Sequence, residues 1–282
     1  MEQINKISDI RNRVNELKRK GKTIGFVPTM GYLHEGHLSL VDEAKKYCDI
    51  VIMSIFVNPA QFGPNEDFDS YPRDFERDEK KAEGRGTDII FYPDVKEMYP
   101  SEILTWVNVE KITDVLCGAK REGHFRGVCT VVTKLFNIVK PDIAIFGQKD
   151  AQQAAVISKM VEDLNMDIEI KIAPIVREAD GLAMSSRNVR LSSEDRKNAV
   201  ILSKNLFMIK EGIDEGKELS RLLEKAKKSI QAIKGARLDY LEARSYPNLE
   251  TVNTCNGLCL IALAVYFGGV RLIDNILIEN LS

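Results

Sequence analysis

Apolar residues along the first 175 positions follow two alternating rhythms. Short runs rich in β-branched and aromatic residues occur at 23–27, 50–56, 88–91, 142–146 and 168–175, each with the length and composition of a buried strand. Between most of them the apolar positions recur every three or four residues, the period of a helix with one buried face. The clearest case follows Gly127, where Val128, Val131, Val132, Leu135, Phe136 and Val139 share a face before Pro141 stops the helix. Strands alternating with helices predict an α/β fold built on a parallel sheet. At the N-terminus, Ile4, Ile7, Ile10, Val14 and Leu17 fall on one face of a helix predicted over 1–20 and ending near Gly21. Charges between them interrupt the apolar block that a secretory signal needs.

After about Val176 the rhythm changes. A polar loop at 177–190 leads to helices near 192–213 and 218–233, then to strands near 237–243, 258–267 and 272–277, with Gly268-Gly269 as a turn between the last two. Helices followed by strands predict a smaller α+β domain over 176–282, set as a lid on a Rossmann-like domain over 1–175. Residues 63–81 are rich in Asp and Glu around Pro64 and Pro72, and read as an exposed loop leading into a helix, or as a lid.

Composition narrows the function classes. With 282 residues, 44% hydrophobic, the chain can bury a large core, and a net charge of −2 gives no overall pull toward nucleic acid or an anionic membrane. The most apolar stretch, 258–267, is too short to span a bilayer, so a soluble cytoplasmic protein is expected. Five cysteines with one close pair, Cys255 and Cys259, fit reduced thiols better than disulfides. Zinc held by that pair and two histidines is the other reading, but C-x-x-C pairs are lacking, so no metal site is expected from protein side chains.

The chemistry concentrates where strands run into helices. Pro28-Thr29-Met30-Gly31-Tyr32-Leu33-His34-Glu35-Gly36-His37 follows the first strand and holds two of the three histidines. A helix start there would present backbone N–H groups to an anion, and histidines one turn apart can aim two more donors at one phosphate. Helix caps or surface histidines are the plainer reading. Asn58-Pro59-Ala60-Gln61-Phe62 follows the second strand and offers uncharged amides to a polar small substrate, or is an ordinary turn. Residues 118–127 place Lys120, Arg121, His124 and Arg126 before a helix. Gly147-Gln148-Lys149-Asp150, with Gln152 and Gln153, supplies a cation, an N-cap and amides. Met184-Ser185-Ser186-Arg187-Asn188 offers hydroxyls and a cation that could close over a polyphosphate, or is a flexible linker.

Taken together, in this order and over nearly the whole chain, these motifs resemble the pantothenate synthetase (pantoate:β-alanine ligase) family of the nucleotidyltransferase superfamily. The resemblance implies an ATP-dependent condensation of pantoate with β-alanine through a pantoyl adenylate, releasing pyrophosphate and AMP, with Mg²⁺ accompanying ATP and a homodimer formed through the larger domain. It further implies that His34 and His37 contact ATP phosphates, with His37 as general acid. Lys149 would neutralise the α-phosphate region, and Ser185, Ser186 and Arg187 would grip the outer phosphates. Met30, Gly36, Gly147, Asp150, Val176 and Met184 would line the nucleotide site, Asn58, Gln61, Gln153 and Met30 the pantoate site, and Arg121 would support the closing segment. The chain departs from the family pattern at Glu122, where proline is usual, and at Gln148 and Ala151, where an acid and an aromatic flank Lys-Asp. A nucleotidyltransferase acting on a phosphate acceptor, or a non-catalytic nucleotide-binding module, would share the histidine turn.

Overall fold

The computed structural model describes residues 1–64 and 66–280. In chain order the elements are β1 (Glu2–Ile4), α1 (Ile7–Arg19), β2 (Ile24–Thr29), α2 (Glu35–Ala44), β3 (Ile50–Ile55), α3 (Phe75–Arg85), β4 (Ile89–Phe91), α4 (Val95–Met98), α5 (His124–Val139), β5 (Ile143–Gly147), α6 (Ala151–Asp163) and β6 (Glu169–Ala173). They are followed by α7 (Ser193–Asn198), α8 (Ile201–Asp214), α9 (Leu219–Gln231), β7 (Ala236–Ser245), β8 (Gly257–Phe267) and β9 (Val270–Asn280). Two compact units result. One comprises Met1–Glu110, Arg121–Gly147 and Val156–Pro174; the other comprises Lys111–Lys120, Gln148–Ala155 and the described chain from Ile175 onward.

The first unit is the expected parallel α/β sheet, six strands in the order β1-β4-β3-β2-β5-β6. Its central strands are apolar on both faces, as helices on each side require: Phe26, Val27, Ile52, Met53, Ile90 and Ile145 are fully buried. From β2 the chain steps to β3 and β4 on one side, then crosses to β5 and β6 on the other. The direction of winding therefore reverses between β2 and β5, and the carboxyl ends of those two strands flank the crevice where such sheets take ligands. Strand β2 runs through Pro28, although proline has no N–H to offer a ladder. Its pairing with β5 covers only Gly25 and Phe26, so one flank has left the ladder before the proline is reached.

The N-terminal helix is shorter than its periodicity predicts. Ile4 belongs to β1, in register with Phe91 of β4, and the helix starts at Ile7. Ile4 has the same burial under either assignment, so periodicity alone could not separate edge strand from first helical turn. The described residues of 63–81 are less exposed than their charge suggests, since Tyr71 and Asp78 are buried and α3 begins at Phe75.

In the second unit, β7, β8 and β9 form an antiparallel sheet. One face packs on α8 and α9 through Leu206, Ile209, Leu222, Ile230, Ile261 and Leu263. The other packs Leu260, Ala262 and Ala264 against Leu116, Ala151 and Ala155. The helical stretch expected over 192–213 is split into α7 and α8. Among the described residues no helix is long and apolar enough to cross a membrane, and all five cysteines are free thiols.

Candidate functional site

The histidine turn is built by its own caps and by a helix that follows forty residues later. His34 is the N-cap of α2 and accepts from the Gly36 N–H through Nδ1 at 3.1 Å, while the His34 N–H points at His37 Nδ1 at 3.4 Å. Both rings are half-buried, with centroids 4.0 Å apart. Capping and ligand binding are thus compatible roles. A neutral imidazole that accepts through Nδ1 carries its hydrogen on Nε2, so the cap fixes each tautomer as an Nε2–H donor. Just upstream, Gly31 at φ +82° and Tyr32 at φ 51° adopt the left-handed conformation. A Cβ on Gly31 would stand 2.9 Å from both Asp78 Oδ2 and Ile55 Cγ2, so position 31 needs glycine for space as well as for φ.

Helix α3 holds this turn from outside. The buried Asp78 carboxylate accepts the N–H groups of Tyr32 and Leu33, both at 2.6 Å, and Lys81 Nζ donates to the Leu33 carbonyl at 3.0 Å. Burial pushes the Asp78 carboxyl up, against the pull of those two N–H groups and of Arg77. Arg77 also lies over the Tyr32 ring, 4.4 Å from its centroid.

A second polar group forms at the end of β3. Asn58 and Gln61 are buried, although both are amides. Asn58 Oδ1 accepts from the Tyr99 hydroxyl at 2.8 Å, and its Nδ2 donates to Gln61 Oε1 at 3.1 Å and to the Gly127 carbonyl at 3.2 Å. Gln61 Nε2 in turn donates to Met30 Sδ at 3.1 Å. Burial alone raises the Tyr99 phenol to about 12, so it stays a protonated donor across the working range. Helix α5 approaches so closely at Gly127 that a Cβ there would lie 2.1 Å from the Ala60 carbonyl oxygen. The amides are therefore fixed in orientation before any ligand arrives.

His124 and Arg121 are directed into the fold. Arg121 only donates, so His124 Nε2 accepts from it at 2.9 Å and Nδ1–H donates to the Gln61 carbonyl at 2.9 Å. Arg121 also pairs with Glu66 through Nε and Nη2, both at 2.6 Å. Arg121 and His124 thus brace the Gln61 turn. Burial, the largest influence on Glu66, would raise its carboxyl, but the hydrogen bonds and charge of Arg121 hold it below its ordinary value. Stability from a depressed carboxylate is present above the unfolded value of about 4.3 and disappears as pH falls through the folded one. Glu66→Gln is therefore expected to cost about 1 kcal/mol at pH 7 and to unfold at the same denaturant concentration as the parent once the pH is low enough to protonate Glu66 in the folded protein. Chemical denaturation at the two pH values measures both.

In the second unit, Gln148–Asp150 form one 3-10 turn leading into α6. Lys149 Nζ stands 3.5 Å from Asp150 Oδ2. The Asn275 amide donates to the carbonyls of Gln148 and Lys149, both at 2.9 Å. Gln152, expected as a site amide, instead accepts from Cys117 N–H and donates to the carbonyls of Ile112 and Val115. The loop from Val176 is internally bridged: Arg177 pairs with Ala183, and the Met184 N–H reaches the Val176 carbonyl at 3.0 Å. Ser185 caps the following 3-10 turn by accepting from the Arg187 N–H at 3.3 Å, and Ser186 is buried.

Met30, His34, Gly36, His37, Asn58, Gln61, Arg121 and Gly147 thus belong to the first unit, and Lys149, Asp150, Gln153, Val176, Met184, Ser185, Ser186 and Arg187 to the second. Met30, Asn58 and Gln61 form one hydrogen-bonded group. Gly147 ends β5, the strand beside the one that leads to the histidines. The sequence reading passed over Asp78, Lys81, Tyr99, Gly127, Asp274 and Asn275. Signals existed at two places: a glycine inside an apolar helical face, and a polar pair interrupting the apolar run of β9.

Comparison with known proteins finds likeness over almost the whole chain. The model of the pantoate-beta-alanine ligase family matches residues 2–277. A pantothenate synthetase from Caldicellulosiruptor saccharolyticus is 58% identical over 277 residues, 98% of this chain and 99% of its own. The crystal structure of pantothenate synthetase from Thermus thermophilus superposes with a TM-score of 0.94 at 42% identity, covering 98% of this chain and 99% of that one. That of pantoate-beta-alanine ligase from Francisella tularensis, complexed with beta-gamma ATP and beta-alanine, gives 0.82 at 37% identity, covering 98% and 97%.

Proposed function

Because the chain belongs to the pantoate-beta-alanine ligase family, we propose that it condenses pantoate with β-alanine at the expense of ATP. The reaction runs in two steps. The pantoate carboxylate attacks the α-phosphorus of ATP and expels pyrophosphate; the amine of β-alanine then attacks the acyl carbon and expels AMP. The observation that carries this reading is the capped histidine pair at the point where the sheet reverses its winding.

In this reading the protein aligns and neutralises, and forms no covalent bond to substrate. The Nε2–H groups of His34 and His37 donate to phosphate oxygens at the start of α2, with Gly36 allowing the backbone to approach; His37 serves as general acid from its imidazolium form, passing the Nε2 proton to the departing pyrophosphate, and in that form Nδ1 also carries hydrogen and gives up the His34 N–H. Lys149 meets the charge that builds on the α-phosphate, and Ser185, Ser186 and Arg187 hold the departing pyrophosphate. Gly147, Asp150, Val176 and Met184 line the nucleotide, and Asn58, Gln61, Gln153 and Met30 line pantoate. Arg121 acts one layer back, through Gln61. Among the described residues no group of three metal-ligating side chains is close enough to hold an ion, so Mg²⁺ is taken to arrive on the ATP phosphates.

A cytoplasmic location fits a supply of ATP. A homodimer through the first unit is supported by the segment 102–110, which lies outside any helix or strand and in which Leu104 is 83% exposed. Isotope exchange between labelled pyrophosphate and ATP, with Mg²⁺ and pantoate but without β-alanine, tests the chemistry. Exchange that requires pantoate is expected. Exchange without pantoate, or its absence in folded protein that binds ATP, would redirect the reading to another acceptor.

A further inference from the structure

Within strand β9, Asp274 and Asn275 interrupt the apolar run 272–278, and they are 2% and 3% exposed. Their partners across the β8–β9 ladder are Leu263 and Ala262, both buried. Burying an amide in such surroundings is costly unless every polar atom finds a partner. Asn275 finds them in one place: Nδ2 donates to the Gln148 and Lys149 carbonyls, both at 2.9 Å, and Oδ1 accepts from Gln148 Nε2 at 3.3 Å. Two carbonyls can be met only by the NH₂ end, so the amide has one permitted orientation.

We propose that Asn275 is a positioning residue for Lys149, fixing the backbone from which the lysine side chain reaches the phosphates. The inference rests on the role given to Lys149 above. A lysine stem is long and flexible, and its ammonium is a point charge without a preferred plane. Its usefulness in a transition state therefore depends on where the stem is rooted. Of the carbonyls flanking that root, one is Lys149's own and the other is its neighbour's, and Asn275 grips both.

The adjacent Asp274 does the same for the other cationic segment of this unit. Its carboxylate accepts from Arg177 Nη1 at 2.7 Å and Nη2 at 3.0 Å. Arg177 Nη1 also donates to the Gly181 carbonyl at 3.1 Å, closing the loop that leads to Met184 and Ser185. Burial pushes the Asp274 carboxyl up, and the charges of Arg177 and Lys149 oppose it. One dipeptide thus anchors the bases of both elements proposed to bear phosphate.

The test is a double-substitution cycle read by pantoate-dependent ATP–pyrophosphate exchange in the full chain, with Asn275→Ala, Lys149→Ala and the pair. Asn275→Ala is expected to lower the exchange rate at saturation at least tenfold while the KM for pantoate stays within twofold. In the Lys149→Ala background it is expected to cause no further loss, because its effect passes through the lysine. Equal fold-losses in both backgrounds, or exchange within twofold of the parent, would overturn the proposal. If Asn275→Ala does not fold, Asn275→Leu keeps the side chain's volume, removes both N–H groups and is judged by the same criteria. Failure of the parent to exchange would instead remove the reading of Lys149.

Discussion

Lys149→Ala is expected to lower pantoate-dependent ATP–pyrophosphate exchange by about two to three orders of magnitude, the usual range for loss of one preorganised group facing developing charge. The KM for pantoate should change little, since the role proposed for the lysine is to meet phosphate rather than the acyl substrate. Folding should be intact: among the described residues the ion pair of Lys149 is with the half-exposed Asp150, such pairs contribute about 0–1 kcal/mol, and Asp274 keeps its partner Arg177. Far-UV circular dichroism and thermal unfolding check the fold, and exchange at saturating ATP checks the rate. Turnover near that of the parent would remove Lys149 from the mechanism. His37→Ala is a less clean probe, because it also removes the ring nitrogen that faces the His34 N–H.

Gly127→Ala is expected to damage the amide group proposed to line pantoate more than any exposed substitution. Helix propensity alone favours alanine over glycine by about 1 kcal/mol. The new Cβ, however, would lie 2.1 Å from the Ala60 carbonyl oxygen and 2.7 Å from the Gln61 Cα, both backbone atoms. No side-chain rotation relieves that, and overpacking of this kind costs about 1–3 kcal/mol, so the clash outweighs the propensity. Either α5 or the Asn58–Gln61 turn must move, which breaks the bond from Asn58 Nδ2 to the Gly127 carbonyl. The expected outcome is a Tm several degrees lower and a KM for pantoate raised at least tenfold, with the KM for ATP much less affected. Steady-state kinetics with each substrate varied in turn would show it. Equal rises in both constants would mean that the turn serves the whole site and not one substrate.

The alternation of strands and helices was legible because each strand of the first sheet is a short apolar run and most of its helices show one apolar face. The chemistry-bearing turns were legible for a related reason: they lie at strand ends, which the same pattern locates. What could not be read were partners distant in sequence. Asp78 looks like one acid among many in a charged stretch; its burial and its grip on Tyr32 and Leu33 depend on how α3 lands on the loop. Tyr99, Gly127 and Asn275 likewise acquire meaning only from what the topology puts opposite them. Ile4 shows the limit at short range, where a single apolar residue suits an edge strand and a helix equally.

The grip of α3 on the histidine turn also says something about the order in which this protein becomes able to work. Tyr32 and Leu33 wait for a carboxylate 46 and 45 residues further along the chain. On a ribosome adding roughly 5–20 residues each second, the histidines are made several seconds before the residue that shapes their loop. A nascent chain that stops short of Asp78 contains every atom of the histidine turn without the carboxylate that binds Tyr32 and Leu33. Competence for the nucleotide is therefore a late acquisition, gained when a distant helix docks and not when the histidines themselves are synthesised.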